Sequence, residues 1–413
     1  MSSGGYEYTD NIQDAQIGIV NTCSFINSAK EESVNTILDV AELKNYKLKY
    51  LIVTGCLSQR YFDELEKELP EVDAFLGTTS FSLICDVVDG LKRQENKSVI
   101  SDANRLPEVS GRFNLSCEYT QYIKIAEGCN NKCTYCIIPK LRGSYKSVSF
   151  ENIIVQAEKM ASSGTKEIIL IAQDTSKYGL DLYGRKRLPE LLKTLSEING
   201  LEWIRFLYAY PEDIDENLID SVNYSDKILP YFDMPVQHSS NRILKLMNRN
   251  TTREEILSKI KLIRDNIKAP ILRTSLIAGF PTETEEDFKD LAEFISQVRF
   301  NKLGVFEYSR EENTPAYNLL PQVDEETKAF RAKELMKFQQ KISYDLNRQF
   351  IGKNIKVLAE ETQGDSLICR SSMDAPEVDG IVYVKSAKPH SPGEFLTVHI
   401  TDALEYDLIG EEI

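Results

Sequence analysis

Three cysteines within eight residues constrain this chain more than any other feature. Cys129, Cys133 and Cys136 lie in EGCNNKCTYCIIPKLR (127–142), a C-x3-C-x2-C spacing that lets three thiolates from one loop close on one iron–sulfur cube. Such clusters are normally held by four cysteines, so a run of three leaves one iron open to a small molecule. S-adenosylmethionine suits it, because it offers an amine and a carboxylate side by side. Other readings fit less well. Buried cysteines act as small hydrophobes, but Gly128, Asn130, Asn131 and Lys132 around these three do not read as core. A structural zinc site usually wants four ligands in two pairs; no second pair follows, and His238 is remote. A disulfide would strand one thiol and needs an oxidising compartment. Tyr135, just before the last cysteine, is expected to pack against the cluster or its ligand.

At 413 residues the chain exceeds one ordinary core, so two or three domains are expected. Its 42% apolar and 27% charged residues support packed cores with solvated surfaces. A net charge of −15 argues against a protein whose main business is clamping phosphate backbones, although it leaves room for a local basic groove. No apolar run reaches the roughly 20 residues of a membrane span, and MSSGGYEYTDN is unlike a signal peptide. A cytoplasmic chain with reduced thiols is the expectation.

From residue 1 to about 95, strand and helix patterns alternate. IGIVN (17–21), KYLIVTG (49–55) and VDAFLG (72–77) read as strands; 28–44, about 61–69 and 81–91 read as helices. That alternation indicates a parallel sheet covered on both faces. Cys23 and Cys56 each fall just past the carboxyl end of a strand, at the turn into a helix. Open α/β sheets bind ligands along that rim, so the two cysteines are expected to share a site. Residues 96–118 are polar and aperiodic, carry Pro107 and read as a linker. Cys85, Cys117 and Cys369 read as packing or incidental residues.

From Tyr119 the alternation restarts. YIKIAE (122–127), KEIILIAQD (166–174), WIRFLYAY (203–210), ILPYFDMPV (228–236), ILRTSLIAGF (271–280) and KLGVFEYS (302–309) give six strand–helix units. Six such units form a partial barrel whose chemistry belongs at the carboxyl ends of the strands, the end where the cysteine loop leaves the first strand. Gln173, Asp174, Gln237, His238, Gly279, Phe280 and Pro281 are expected at the same rim, with a helix capped near Thr282 or Thr284. Asp174 and His238 could also simply cap helices or hold loops, and Gly279 would let the backbone approach a cofactor closely. After a charged helix at about 325–350 come four short strands with polar turns, which spell a small all-β barrel or sandwich. Residues 348–413 carry six basic and twelve acidic side chains. A β module that grips nucleic acid is expected to be basic; this one should meet a basic protein or brace the barrel.

The cysteine trio with its preceding aromatic resembles the signature of the radical S-adenosylmethionine enzymes. The whole chain is similar to the methylthiotransferases of that superfamily. IAQDTSKYG (171–179), DMPVQH (233–238) and RSSMDAPEVDG (370–380) resemble the ribosomal-protein branch, called RimO. The resemblance implies an N-terminal α/β methylthiotransferase domain (1–95), a linker (96–118), a partial (β/α)6 radical barrel (119–346) and a C-terminal β domain of the TRAM type (347–413). It implies methylthiolation of the β-carbon of an aspartate in the small-subunit ribosomal protein numbered twelve. A [4Fe–4S] cluster on Cys129, Cys133 and Cys136 would cleave S-adenosylmethionine to a 5′-deoxyadenosyl radical that removes the substrate hydrogen. A second cluster, on Cys23 and Cys56, would hold the sulfur to be methylated and transferred. Tyr135, Gln173, Asp174 and Gly279 are the cofactor-binding candidates, and no catalytic residue is assigned beyond the clusters. Implied partners are that basic ribosomal protein and an electron donor such as flavodoxin or ferredoxin, with no membrane and no direct nucleic-acid binding.

One departure stands out. The family supplies three N-terminal cysteines, and nothing upstream of Cys23 is a cysteine. The expectation is a truncated or wrongly assigned start; taken as given, the second cluster would be labile or absent. Two other functions remain open from sequence: methylthiolation of a tRNA adenosine, and a non-catalytic iron–sulfur carrier or sensor.

Overall fold

The computed structural model describes residues 1, 4–95, 98–104, 119–364 and 366–413. Two compact units emerge. One comprises Met1–Leu115, Glu127–Lys146 and Ser309–Asn318, the other Ser116–Ala126, Ser147–Tyr308 and Leu319–Ile413. Most of the expected linker, with Pro107 and Cys117, lies outside the described residues. Among the described residues no helix is long and apolar enough to cross a membrane.

In the first unit, β1 (Ile17–Thr22), β2 (Tyr50–Gly55) and β3 (Ala74–Leu76) form a parallel sheet in that order. Side chains alternate across a strand, and the two faces fill differently. Leu51 and Val53 pack with Ile37, Leu57 and Phe75 on one face; Ile52 and Leu76 pack with Val87 and Val88 on the other. Apart from Phe75 of β3 itself, these partners come from α1 (Asn27–Glu42), α2 (Cys56–Glu68) and α3 (Ile84–Lys92). The α1 face that buries Ser33, Ile37 and Ala41 recurs every four residues, as a helix against a sheet requires. Two features depart from the sequence reading. First, α2 starts at Cys56 rather than near Tyr61, where the helix is kinked by a φ of −128°. Second, part of the supposed linker is ordered against the sheet: Val99 bridges Leu76 in parallel, its N–H donating to the Phe75 carbonyl at 2.8 Å.

The second unit contains the barrel strands. β4 (Thr120–Lys124), β5 (Glu167–Ile171) and β6 (Trp203–Phe206) form one parallel sheet; β7 (Tyr231–Asp233), β8 (Ile271–Ala278) and β9 (Lys302–Glu307) form another. A single bridge, Ile204 to Ile228, links β6 to the approach of β7, with the Leu229 N–H donating to the Ile204 carbonyl at 2.9 Å. The result is the expected six-stranded arc, with shorter central strands. Pro230 and Pro235 cannot donate to a ladder and bracket the short β7, which occupies three of the four residues between them. β6 stops before Tyr208, whose φ is +63°. The helix after β8 carries its capping box at Thr284 and Asp287, not at Thr282.

The C-terminal module is a closed barrel of β10 (Asn354–Gln363), β11 (Ser366–Ser371), β12 (Val382–Lys385), β13 (Phe395–Ala403) and β14 (Leu408–Glu412), ordered β10-β11-β12-β14-β13. Sequence reading found four of these strands and missed β14, whose LIGEE has no clear alternation. Cys369 is buried in this core beside Val382 and Val398, a packing residue as expected. RSSMDAPEVDG fastens the module to the barrel strands of its unit. Arg370 pairs with Glu167, which also accepts from Arg205 at 3.1 Å. Asp374 pairs with Lys302, and Asp379 accepts from the Tyr231 hydroxyl at 2.6 Å.

Candidate functional site

The three-cysteine loop belongs to the first unit, together with Cys23 and Cys56. Its ends are cinched by glycines. Gly128 has a φ of +78°, and a β-carbon there would sit 2.2 Å from the Ser144 carbonyl oxygen; the Cys129 N–H donates to the Gly143 carbonyl at 3.1 Å. Asn130 accepts from the Tyr145 N–H at 3.0 Å. Within the loop the Asn131 N–H lies 3.4 Å from the Cys129 sulfur, and the Cys136 N–H donates to the Cys133 carbonyl at 3.1 Å. The segment Ser309–Asn318 braces it from outside: the Ala316 N–H donates to the Thr134 carbonyl at 2.9 Å, and Lys140 Nζ to the Asn313 carbonyl at 2.7 Å. Cys129 and Cys133 are buried; Cys136 and Tyr135 are half-buried.

Burial pushes the Cys136 thiol up to about 12; the Ile138 backbone opposes this, and Cys133 and Cys129 add to it. Three thiols close enough to repel as thiolates, in a pocket that penalises their charge, call for a cation source that makes deprotonation favourable. Iron supplies that. Among the described residues no three His, Cys, Asp or Glu side chains converge on a single ion position.

Cys23 and Cys56 come together by register. β1 and β2 are parallel neighbours with Thr22 opposite Gly55, so the residues that follow stand side by side at the carboxyl rim. Gly55 has a φ of +105°, and a β-carbon there would lie 2.4 Å from the Thr22 carbonyl oxygen, so only glycine allows this turn into α2. Ser33 clamps Cys23, its Oγ accepting from the Cys23 N–H at 3.1 Å and donating to the carbonyl at 3.0 Å. Arg60 donates to the Ser24 carbonyl at 2.9 Å and to Glu311 at 2.7 Å; Glu311 also pairs with Lys30 at 3.0 Å. Cys23 is exposed and Cys56 buried. Ser24, beside Cys23, is fully buried, and among the described residues its hydroxyl has no hydrogen-bond partner.

The two cysteine sets touch through α4 (Ile138–Arg142), the short helix that closes the three-cysteine loop. Ile137 and Leu141 pack on Cys56. Thr78 donates to the Leu141 carbonyl at 2.8 Å. Burial raises the Cys56 thiol, and the Arg142 guanidinium beside it opposes that by charge and by a hydrogen bond. Sequence reading placed both cysteine sets and did not foresee Arg142, which is long-range in the fold.

The remaining candidates lie in the second unit. Asp174 is fully buried, accepts from Ser176 and pairs with Lys177 at 3.2 Å; it makes no side-chain helix cap. Gln173 is half-buried beyond β5. Gln237 has a φ of +71° and pairs on both sides with β8, through Ser275 and Ile277. Buried His238 accepts from the Ser240 N–H at 3.0 Å through Nδ1, leaving Nε2 3.4 Å from Glu283. The Gly279 N–H donates to Glu283 at 2.9 Å, and Arg331 pairs with the same carboxylate at 2.7 Å. A β-carbon on Gly279, whose φ is +73°, would meet Lys328 Cγ at 2.3 Å, which gives this glycine a packing reason beside the expected cofactor approach. Glu283 escaped the sequence reading, although its place four residues after Gly279 in GFPTE was the available signal.

Residues 123–295 match the Radical SAM superfamily, 351–413 the TRAM domain, and 1–77 the uncharacterized protein family UPF0004. The ribosomal protein uS12 methylthiotransferase RimO of Clostridioides difficile (strain 630) is 52% identical, over 100% of this chain and 93% of its own length. The chain belongs to the RimO family. The RimO protein of Caldicellulosiruptor saccharolyticus is 49% identical, over 99% of this chain and 94% of its own. Among solved structures, the radical S-adenosylmethionine methyltransferase TsrM of Kitasatospora setae aligns with a TM-score of 0.57 at 12% identity. That alignment covers 86% of this chain and 69% of TsrM, a likeness of fold.

Proposed function

We propose that this RimO-family chain is a methylthiotransferase that adds a methylthio group to the β-carbon of an aspartate in ribosomal protein uS12. The observation that carries the reading is near-50% identity to curated RimO proteins along essentially the whole chain. The gathering of five cysteines in one compact unit supports it. The enzyme uses [4Fe–4S] clusters and S-adenosylmethionine. When bound, these supply the electron for radical formation and the sulfur and methyl group that are transferred.

The chain's own residues do the positioning. Cys129, Cys133 and Cys136 would hold the radical cluster, on a loop fixed by Gly128, Asn130 and the Ser309–Asn318 segment. Cys23 and Cys56 would ligate the second. The buried Glu283 carboxylate holds the Gly279 and Phe280 N–H groups, which would leave the carbonyls of that turn to meet S-adenosylmethionine. Asp174, Gln173 and Tyr135 complete the proposed cofactor contacts. Recognition of uS12 would draw on the acidic C-terminal module, whose twelve acidic side chains against six basic ones argue against a nucleic-acid role. Arg370 is among those six and is spent on Glu167 and Glu360. A cytoplasmic location and a low-potential donor such as flavodoxin or ferredoxin belong to the same reading, as do domain borders at 1–95, 119–346 and 347–413.

Anaerobic reconstitution followed by S-adenosylmethionine and dithionite tests the radical half. The expected product is 5′-deoxyadenosine, abolished by Cys133→Ala. Cluster bleaching without 5′-deoxyadenosine would make the chain an electron carrier.

A further inference from the structure

The segment that braces the three-cysteine loop is itself held by a buried carboxylate. We infer that Glu311 is a positioning residue of the radical reaction: it pins residues 309–318 to two helices of the N-terminal sheet and, through that segment, fixes the part of the loop that carries Cys136. The inference rests on the reading that Cys129, Cys133 and Cys136 hold the radical cluster.

In SREENTPAYN (309–318) only Pro315, Ala316 and Tyr317 are apolar, so hydrophobic burial does little to hold the segment. Its hold is polar and centred on Glu311. Oε2 accepts from Arg60 Nη1 at 2.7 Å and from Lys30 Nζ at 3.0 Å, while Oε1 accepts from the Ser309 hydroxyl at 2.8 Å. Lys30 comes from α1 and Arg60 from α2. Around this centre, Arg60 Nη2 donates to the Glu312 carbonyl at 3.0 Å, and the Asn27 N–H to Ser309 Oγ at 3.3 Å. The carboxylate and the guanidinium are only 1% and 5% exposed, so water screens the pair weakly. Arg60 is also fixed independently of Glu311, by the Ser24 carbonyl at 2.9 Å and by the Tyr61 ring 4.9 Å away.

From Glu311 the hold passes along the segment to the loop. Buried Thr314 donates its hydroxyl to the Glu311 carbonyl at 2.6 Å, which sets the turn that presents Asn313 and Ala316. Lys140 of α4 then donates to the Asn313 carbonyl at 2.7 Å, and the N–H of fully buried Ala316 to the Thr134 carbonyl at 2.9 Å. Thr134 stands two residues before Cys136. Glycines cinch the ends of the loop, and this segment steadies its middle. Groups behind a ligand orient it and tune what it holds, so slack in the segment reaches the thiolate. An ion cluster that merely adds stability has another signature: its loss would loosen the whole unit evenly.

The test follows hydrogen–deuterium exchange of the full, anaerobically reconstituted chain, peptide by peptide. Glu311→Gln is expected to speed exchange in residues 129–142 by about tenfold or more, the factor one lost hydrogen bond to a charged group amounts to, and to leave β1, β2 and β3 as they were. Lys140→Ala, which spares the ion cluster, should speed the same peptides by about threefold. Electron paramagnetic resonance of the reduced cluster, in a chain also carrying Cys23→Ala and Cys56→Ala, gives the second readout. With S-adenosylmethionine added and iron content equal, Glu311→Gln should change the shape of the spectrum. Unchanged loop exchange, an equal rise across β1, β2, β3 and the loop, or an unchanged spectrum overturns the inference alone. Should Glu311→Gln fail to fold, parent-like loop exchange in Lys140→Ala overturns it and faster exchange confined to the loop upholds it. Absence of iron from the chain with Glu311 intact overturns the reading of Cys129, Cys133 and Cys136, and the inference with it.

Discussion

Single residues decide whether the cysteines reach their positions. Gly55 is the sharpest case, because the turn that carries Cys56 into α2 needs a positive φ and leaves no room for a β-carbon. Gly55→Ala is expected to cost about 1–3 kcal/mol of stability from backbone strain alone, more with the clash against Thr22. Chemical denaturation of the variant beside the parent measures the loss, and iron content should fall with it. A variant of unchanged stability would mean that the turn relaxes easily. Cys56 itself could be picked out from sequence because it follows a strand. The reason for the glycine before it could not, since the crowding atom belongs to a different strand. The same limit hid Arg142 and Glu283: each acts on groups that only the fold brings near.

At the scale of elements, the alternation of apolar strands and amphipathic helices was enough to foresee both parallel sheets. Their lengths were set by local chemistry that a hydrophobic run conceals. ILPYFDMPV looks like a nine-residue strand, but its two prolines leave only the four residues between them able to donate, and the strand itself is three residues long. β14 was missed for the opposite reason: a short acidic segment around Gly410 gains its strand from pairing with β12 on one side and β13 on the other, not from its own pattern. The phrase RSSMDAPEVDG proved to be a fastening between module and barrel strands. Its centre is Glu167, buried between Arg370 and Arg205. Burial alone would raise the Glu167 carboxyl, but the two arginines overcome it and hold the group below the usual carboxylate range. A depressed carboxylate stabilises the fold above its unfolded pKa, about 4.3, and loses that contribution as pH falls through the folded value. Glu167→Gln is therefore expected to destabilise this unit by about 3–5 kcal/mol at neutral pH, because two buried arginines lose their counter-charge. The gap to wild type should narrow as the pH falls through the folded value. A gap independent of pH, read from denaturation curves, would show that Glu167 acts through packing and not charge.

The whole molecule concentrates its redox ligands. Cys129, Cys133 and Cys136 are separated from Cys23 and Cys56 by some seventy residues or more of sequence, yet one compact unit contains all five. An electron carrier has no use for a loop of three cysteines closing beside a second pair on the rim of another sheet; a reaction that must combine a radical with a transferred sulfur does. The most direct test is peptide mass spectrometry of uS12 after anaerobic incubation of 30S subunits with reconstituted enzyme, S-adenosylmethionine and dithionite. The account predicts one methylthio group replacing a hydrogen on an aspartate of uS12, absent with Cys129→Ala. Unmodified uS12 alongside methylthiolated adenosine in a parallel tRNA incubation would contradict it.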